Sequence, residues 1–250
     1  MGTPALKRMM RQPATAYIGP MVVFQLLLAL VPLFAHKHPS APWYVQMPQH
    51  WIYPLQTVLC GAMIAVWWKH YEWTNTTWRN VLLGLICGVV GIALWIAPTE
   101  IYYRLTAAGA EIPEWWEYLG VREREDGFDP YLVEWSGWAI ALRLIRMTIV
   151  VAFVEEFLWR GFLMRYLVDM DKPFTSTPFG THNWRVFGIV TFFVVIVHQP
   201  ADYFVAALWG ALVYWVAVKT KSLAACVAMH AVANLVLGVY ILQTGHNGLW

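Results

Sequence analysis

The chain has 250 residues, of which 59% are hydrophobic and only 13% charged, with a mean hydropathy of +0.50. A soluble domain carries about 25% charged residues, so this composition excludes an ordinary soluble enzyme and points to one integral membrane domain. A net charge of +2 excludes the strongly basic surface that nucleic-acid binding requires.

The N-terminal stretch MGTPALKRMMRQPATAYIGPMVVF is basic and then apolar. The HKHPSAPW that follows is a poor small-residue cleavage site, so the stretch reads as a retained first helix. Apolar runs then mark about seven spans, with an eighth allowed: 17–35, 52–68, 81–98, 139–167, 186–201, 203–218 and 223–242. Lipid obliges the backbone to satisfy its own hydrogen bonds. The predicted fold is therefore all-α, a polytopic transmembrane helix bundle. Pro200 interrupts the fifth span at its far end. The longest loop, 99–137, is rich in Glu, Asp and Trp and has room for a short interfacial helix. The chain divides into residues 1–136, helices plus this acidic loop, and 137–250, a core of four helices. Cys60, Cys87 and Cys226 all lie in apolar segments without paired spacing, which fits buried small side chains rather than disulfides or a zinc ribbon.

If the spans alternate, Lys7, Arg8, Arg11, Lys69, Arg79, Arg165, Lys172, Arg185, Lys219 and Lys221 share one side. Lys37, Arg104, Arg122 and Arg124 share the other. The positive-inside rule then puts the N-terminus inside and the acidic loop outside.

Within this apolar chain the stretch VAFVEEFLWRGFL, residues 151–163, is out of place. Ionisable groups in spans cost roughly 2.5–3.5 kcal/mol each on insertion scales and usually face a cavity or a partner. The fourth span carries Glu155, Glu156 and Arg160, the fifth His198, and the seventh His230 and Asn234. Counted from the inner span ends, Glu155, His198 and His230 lie about 18, 18 and 12 Å deep at 1.5 Å per residue. Similar depth on three helices predicts a shared intramembrane pocket. His230 and Asn234 are i, i+4 and share a helix face, as do Glu156 and Arg160. Glu156 is thus expected to pair with Arg160, leaving Glu155, about 100° around the helix, free. Cys226 and Gly238 extend the His230 face with small side chains, leaving room for a visitor. Arg143 and Arg146, near the outer end of the fourth span, read as snorkelling side chains.

This set supports amide hydrolysis. Glu155 is a candidate general base that takes a proton from water, with His198 sharing that water. His230 and Asn234 are candidate donors to the oxyanion of a tetrahedral intermediate. The same residues also allow metal: Glu155, His198 and His230 make a two-histidine, one-carboxylate zinc set with water in the fourth position. No HExxH is present, and spacing alone does not choose between no cofactor and one divalent metal ion.

The forms EExxxR at Glu155, Glu156 and Arg160, a histidine at His198 and HxxxN at His230 and Asn234 resemble the CPBP family of intramembrane proteases, related to the type II CAAX prenyl endopeptidase. The resemblance covers about 137–242. In place of the family's FxxxH, Val194 precedes His198. TPFGTHNW and SLAACVAMHAVANLVLG also resemble the CAAX prenyl protease-related members found beside exosortase systems. The resemblance implies a catalytic core in the C-terminal four helices, Glu155 activating water with His198, and supporting roles for Glu156 and Arg160. It further implies a protein or peptide substrate at the lipid bilayer and, by kinship, a bacterial inner membrane. It leaves glutamate-dependent and metal-dependent chemistry both open. Two rival readings are a non-catalytic peptide-binding, immunity or scaffolding protein and a proton-coupled transporter; the lack of repeated halves disfavours the second.

Overall fold

The computed structural model describes residues 13–35, 41–124 and 127–250. Of the residues used for sidedness, Lys7, Arg8, Arg11 and Lys37 lie outside these. Among the described residues there is no strand, and seven principal helices follow one another: α1 (Pro13–Phe34), α2 (Gln49–Val66), α3 (Trp78–Ala107), α4 (Ser136–Tyr166), α5 (Trp184–Ile196), α6 (Tyr203–Thr220) and α7 (Leu223–Thr244). Five are long and apolar enough to cross a membrane: α1, α3, α4, α6 with its leading turn, and α7. The protein is an integral membrane protein.

Helices thus occupy all seven expected stretches, but only five qualify as spans by length and composition. α2 has 18 residues and carries Gln49, His50 and Gln56. α5 has 13 residues, about 20 Å at 1.5 Å per residue, against a hydrocarbon core of about 30 Å. The fifth expected span ended at 201, whereas the helix stops at Ile196. The cause is Pro200, which cannot continue a helix and holds Gln199 extended (φ −69°, ψ 149°). His198 therefore sits in the turn after α5 rather than within a helix.

Local chemistry sets other ends. The Asn183 side chain accepts from Val186 N at 3.1 Å to start α5, and Ser222 accepts from Ala225 N to start α7. α7 ends at Gly245, whose φ of 73° needs glycine. α3 runs nine residues beyond the expected end at 98, through Pro98 to Ala107. The acidic loop then holds a short 3₁₀ turn, Glu114–Leu119.

The most extensive helix pair is α3 against α7. It is close because Gly84 and Gly88, four apart, face α7 backbone. A Cβ at Gly84 would lie 2.3 Å from the Ala225 carbonyl oxygen, and one at Gly88 would lie 2.4 Å from that of Met229. Small residues at this spacing let membrane helices approach to van der Waals contact. Gly238 plays a like part between α7 and α4, where a Cβ would meet Leu144 Cδ2 at 2.5 Å. The expected room for a visitor beside Gly238 is thus filled by α4.

α4 is not a plain α-helix. π-helical turns at Arg146–Val151 and Phe157–Leu163 flank the segment Ala152–Glu156. In a straight α-helix Arg143 and Glu155, twelve residues apart, would point about 120° away from each other. The wider π-turns absorb that drift, so Arg143, Met147, Val151 and Glu155 all line one cavity.

Candidate active site

A cavity of about 410 Å³ opens between the helices. α4 contributes Glu155, the turn after α5 contributes His198, and α7 contributes His230 and Asn234. The walls are not confined to the C-terminal helices. Phe24 from α1, Tyr53 from α2 and Trp95 from α3 also face the cavity.

The two acids of the doublet go separate ways. Glu156 is fully buried and accepts from Arg160 Nη1 at 3.2 Å and from His230 Nδ1 at 2.9 Å, both on Oε1. Arg160 also donates from Nη2 to the Gly210 carbonyl at 3.4 Å, which ties α4 to α6. Glu156 does not face the cavity. Glu155 does, half-buried, and its carboxylate has no hydrogen-bond or ion-pair partner among the described residues. An unpaired carboxylate at a cavity wall retains its lone pairs for a bound molecule.

Each histidine is anchored through Nδ1. His198 Nδ1 donates to the Val194 carbonyl at 2.6 Å. A carbonyl only accepts, so the proton must sit on Nδ1, and neutral His198 keeps an unprotonated Nε2. Edge-on contact with Trp95, centroids 5.2 Å apart, fixes the ring. His230 Nδ1 donates to Glu156, and its ring packs edge-on against Trp209 at 5.4 Å. Both Nε2 atoms lack a partner among the described residues. The Asn234 amide donates to the Met147 carbonyl at 2.7 Å, within a π-turn of α4. One N–H of Asn234 thus fastens α7 to α4, and the other remains.

The zinc reading needs Glu155, His198 and His230 as ligands. All three line the cavity, but among the described residues no three His, Cys, Asp or Glu side chains come together as a metal-holding group.

Two arginines were misread from the sequence. Arg143 and Arg146 do not snorkel; both are buried and line the cavity. Arg146 Nε donates to Gln56 Oε1 at 2.6 Å, and Gln56 Nε2 donates to the Phe24 carbonyl at 2.6 Å. The Arg146 guanidinium lies 4.2 Å from the Tyr53 ring centroid, and that of Arg143 lies 4.8 Å from it. One signal was legible: Arg146 is ten residues into α4, too deep for a side chain that must reach water at the helix end. Arg124 is buried too, paired with Asp202 at 2.5 Å and donating to Thr99 Oγ1 at 3.2 Å. It fastens the acidic loop to the turn that leads into α6.

No curated protein and no solved structure matches the chain. Residues 137–236 match the family model for the type II CAAX prenyl endopeptidase, Rce1-like. The matched stretch starts one residue into α4 and ends two residues beyond Asn234, so it encloses Glu155, His198 and His230 as well. Over this stretch the chain is similar to the Rce1-like type II CAAX prenyl endopeptidase family.

Proposed function

We propose that this protein is an intramembrane endopeptidase that hydrolyses a peptide bond near a terminus of a membrane-associated or lipidated protein or peptide. The single observation that carries the reading is the split of the acidic doublet. Glu156 is consumed by Arg160 and His230, while Glu155 has no hydrogen-bond or ion-pair partner among the described residues in the cavity that both histidines also line.

In this reading a water sits between the Glu155 carboxylate and His198 Nε2. Glu155 takes one proton as the water oxygen adds to the substrate carbonyl carbon. His198 Nε2 accepts the second O–H and orients the water. Charge then develops on the carbonyl oxygen, where His230 and Asn234 are placed to donate. Because Nδ1 already donates to Glu156, donation from His230 Nε2 needs a proton on both ring nitrogens. Protonated Glu155 returns its proton to the amide nitrogen, the C–N bond breaks, and an acid and an amine leave. A helical substrate must unwind first, because its carbonyls are already bonded. Counted over seven alternating spans, the distribution of Lys and Arg supports a cytoplasmic N-terminus.

The test compares membrane-protein termini in cells carrying the wild type or Glu155→Gln at matched expression. New termini seen with the wild type alone are expected. Identical termini in both would transfer the weight to a peptide-binding role.

A further inference from the structure

A second cavity, of about 10 Å³, lies between α2, the start of α4 and Phe128. Two buried groups with unmet hydrogen bonds line it from different helices. His50, from α2, is 2% exposed, and neither ring nitrogen has a hydrogen-bond partner among the described residues. The Met47 and Asp129 carbonyls lie near this ring without reaching hydrogen-bond geometry. Arg143, from α4, is 7% exposed, and its Nε and Nη1 have no acceptor among the described residues. The Tyr53 phenol lies beside the guanidinium, but no carboxylate does. The guanidinium rests on the faces of Tyr53, Phe128 and Trp250 at 4.8, 5.2 and 5.3 Å. The His50 ring lies 4.6 Å from that of Phe128. Aromatic faces attract a guanidinium, yet they do not accept its N–H groups in the plane. A buried cation with unmet donors is costly unless a partner supplies both charge and acceptors.

We propose that this second cavity is a halide site, which takes one chloride between Arg143 Nε and Nη1 and a ring N–H of His50. The space admits one small body, since a single water needs about 10–15 Å³. Chloride is only slightly larger than water, whereas carboxylates, phosphates and sulfate carry several heavy atoms and are too large. A water fits as well, but it brings acceptors without charge, and charge is what Arg143 lacks. One nitrogen of a neutral imidazole always carries a proton, so His50 has an N–H to give an anion. Binding requires no hydrolysis, and the site therefore stands apart from the peptidase reading. Its effect still reaches the larger cavity, because Arg143 lines both spaces. A chloride on one side of the guanidinium offsets the charge that it shows to the other.

The test uses the full chain in dodecylmaltoside, purified throughout in potassium gluconate. Thermal unfolding is followed by tryptophan fluorescence as potassium chloride, bromide or sulfate replaces gluconate at constant ionic strength. Chloride and bromide are expected to raise the midpoint saturably, by about 3–6 °C at about ten times the half-saturating concentration. Sulfate is expected to leave it unchanged. Arg143→Gln should abolish the halide response. His50→Leu keeps the guanidinium and loses the N–H, so half-saturation should move up about tenfold or more. That second variant carries the test if Arg143→Gln does not fold. Bromide retained after equilibrium dialysis, counted by mass spectrometry, covers an ion held too tightly to titrate. The wild type should retain more of it than either variant. No halide response together with no excess bromide leaves the space to water and overturns the proposal. An equal shift with sulfate is general screening and overturns it too. So does a halide response unchanged in both variants, which puts the ion elsewhere.

Discussion

Replacing Arg160 with alanine removes the one guanidinium that, among the described residues, neutralises Glu156. Glu156 is 0% exposed and Arg160 1% exposed, so water cannot substitute. Among the described residues Glu156 Oε2 already has no partner, and Oε1 would retain His230 alone. The guanidinium bond to the Gly210 carbonyl goes as well. Breaking a buried pair by deleting one member costs about 3–5 kcal/mol, because a lone charge is stranded. For a chain of this size each kcal/mol moves the melting temperature by about 2–4 °C, so Arg160→Ala should melt roughly 10 °C lower. The double variant Arg160→Met with Glu156→Gln strands no charge and should recover most of that loss. The assay is heating in detergent followed by fluorescence-detected size exclusion, read as the surviving monodisperse peak. Equal losses in the single and double variants would refute the reasoning, since the deficit would then come from lost packing and not from a stranded carboxylate.

Other outcomes are equally specific. Gly88→Leu should separate α3 from α7, because its Cβ has the Met229 carbonyl oxygen 2.4 Å away and backbone cannot yield; expression of folded protein should fall sharply, and a wild-type melting curve would contradict this packing. Asn234→Leu frees the Met147 carbonyl, an unmet buried acceptor worth about 1–3 kcal/mol; stability should drop by that order, together with cleavage, and unchanged stability would remove the seam between α4 and α7 from the account. Asp202→Asn weakens the buried pair with Arg124, so the acidic loop should become cleavable by added protease near 118–124; continued protection would show that the pair does not hold the loop. Dialysis against a chelator should leave cleavage intact, since the donors are not assembled as a ligand group; activity lost and then restored by zinc would refute that.

The amino-acid sequence by itself determined the solvent, the helical class and the placement of all seven helices. These follow from apolar length and from the breakers, because lipid admits few backbone solutions. It also determined that Glu156 and Arg160 share a face, since i, i+4 neighbours are adjacent on any helix turn. The doublet's division followed from the 100° between successive residues. Beyond that local range the sequence was silent or misleading. A uniform helix turned Arg143 and Arg146 away from Glu155, and only the π-turns of α4 bring the three to one wall. Gly238 looked like open space until α4 was seen to fill it. That His230 reaches Glu156, 74 positions earlier in the chain, depends on how α7 is held against α3 and α4. Such contacts are decided by the packing of whole helices, which depends on every side chain in the seam and not on the spacing of any two.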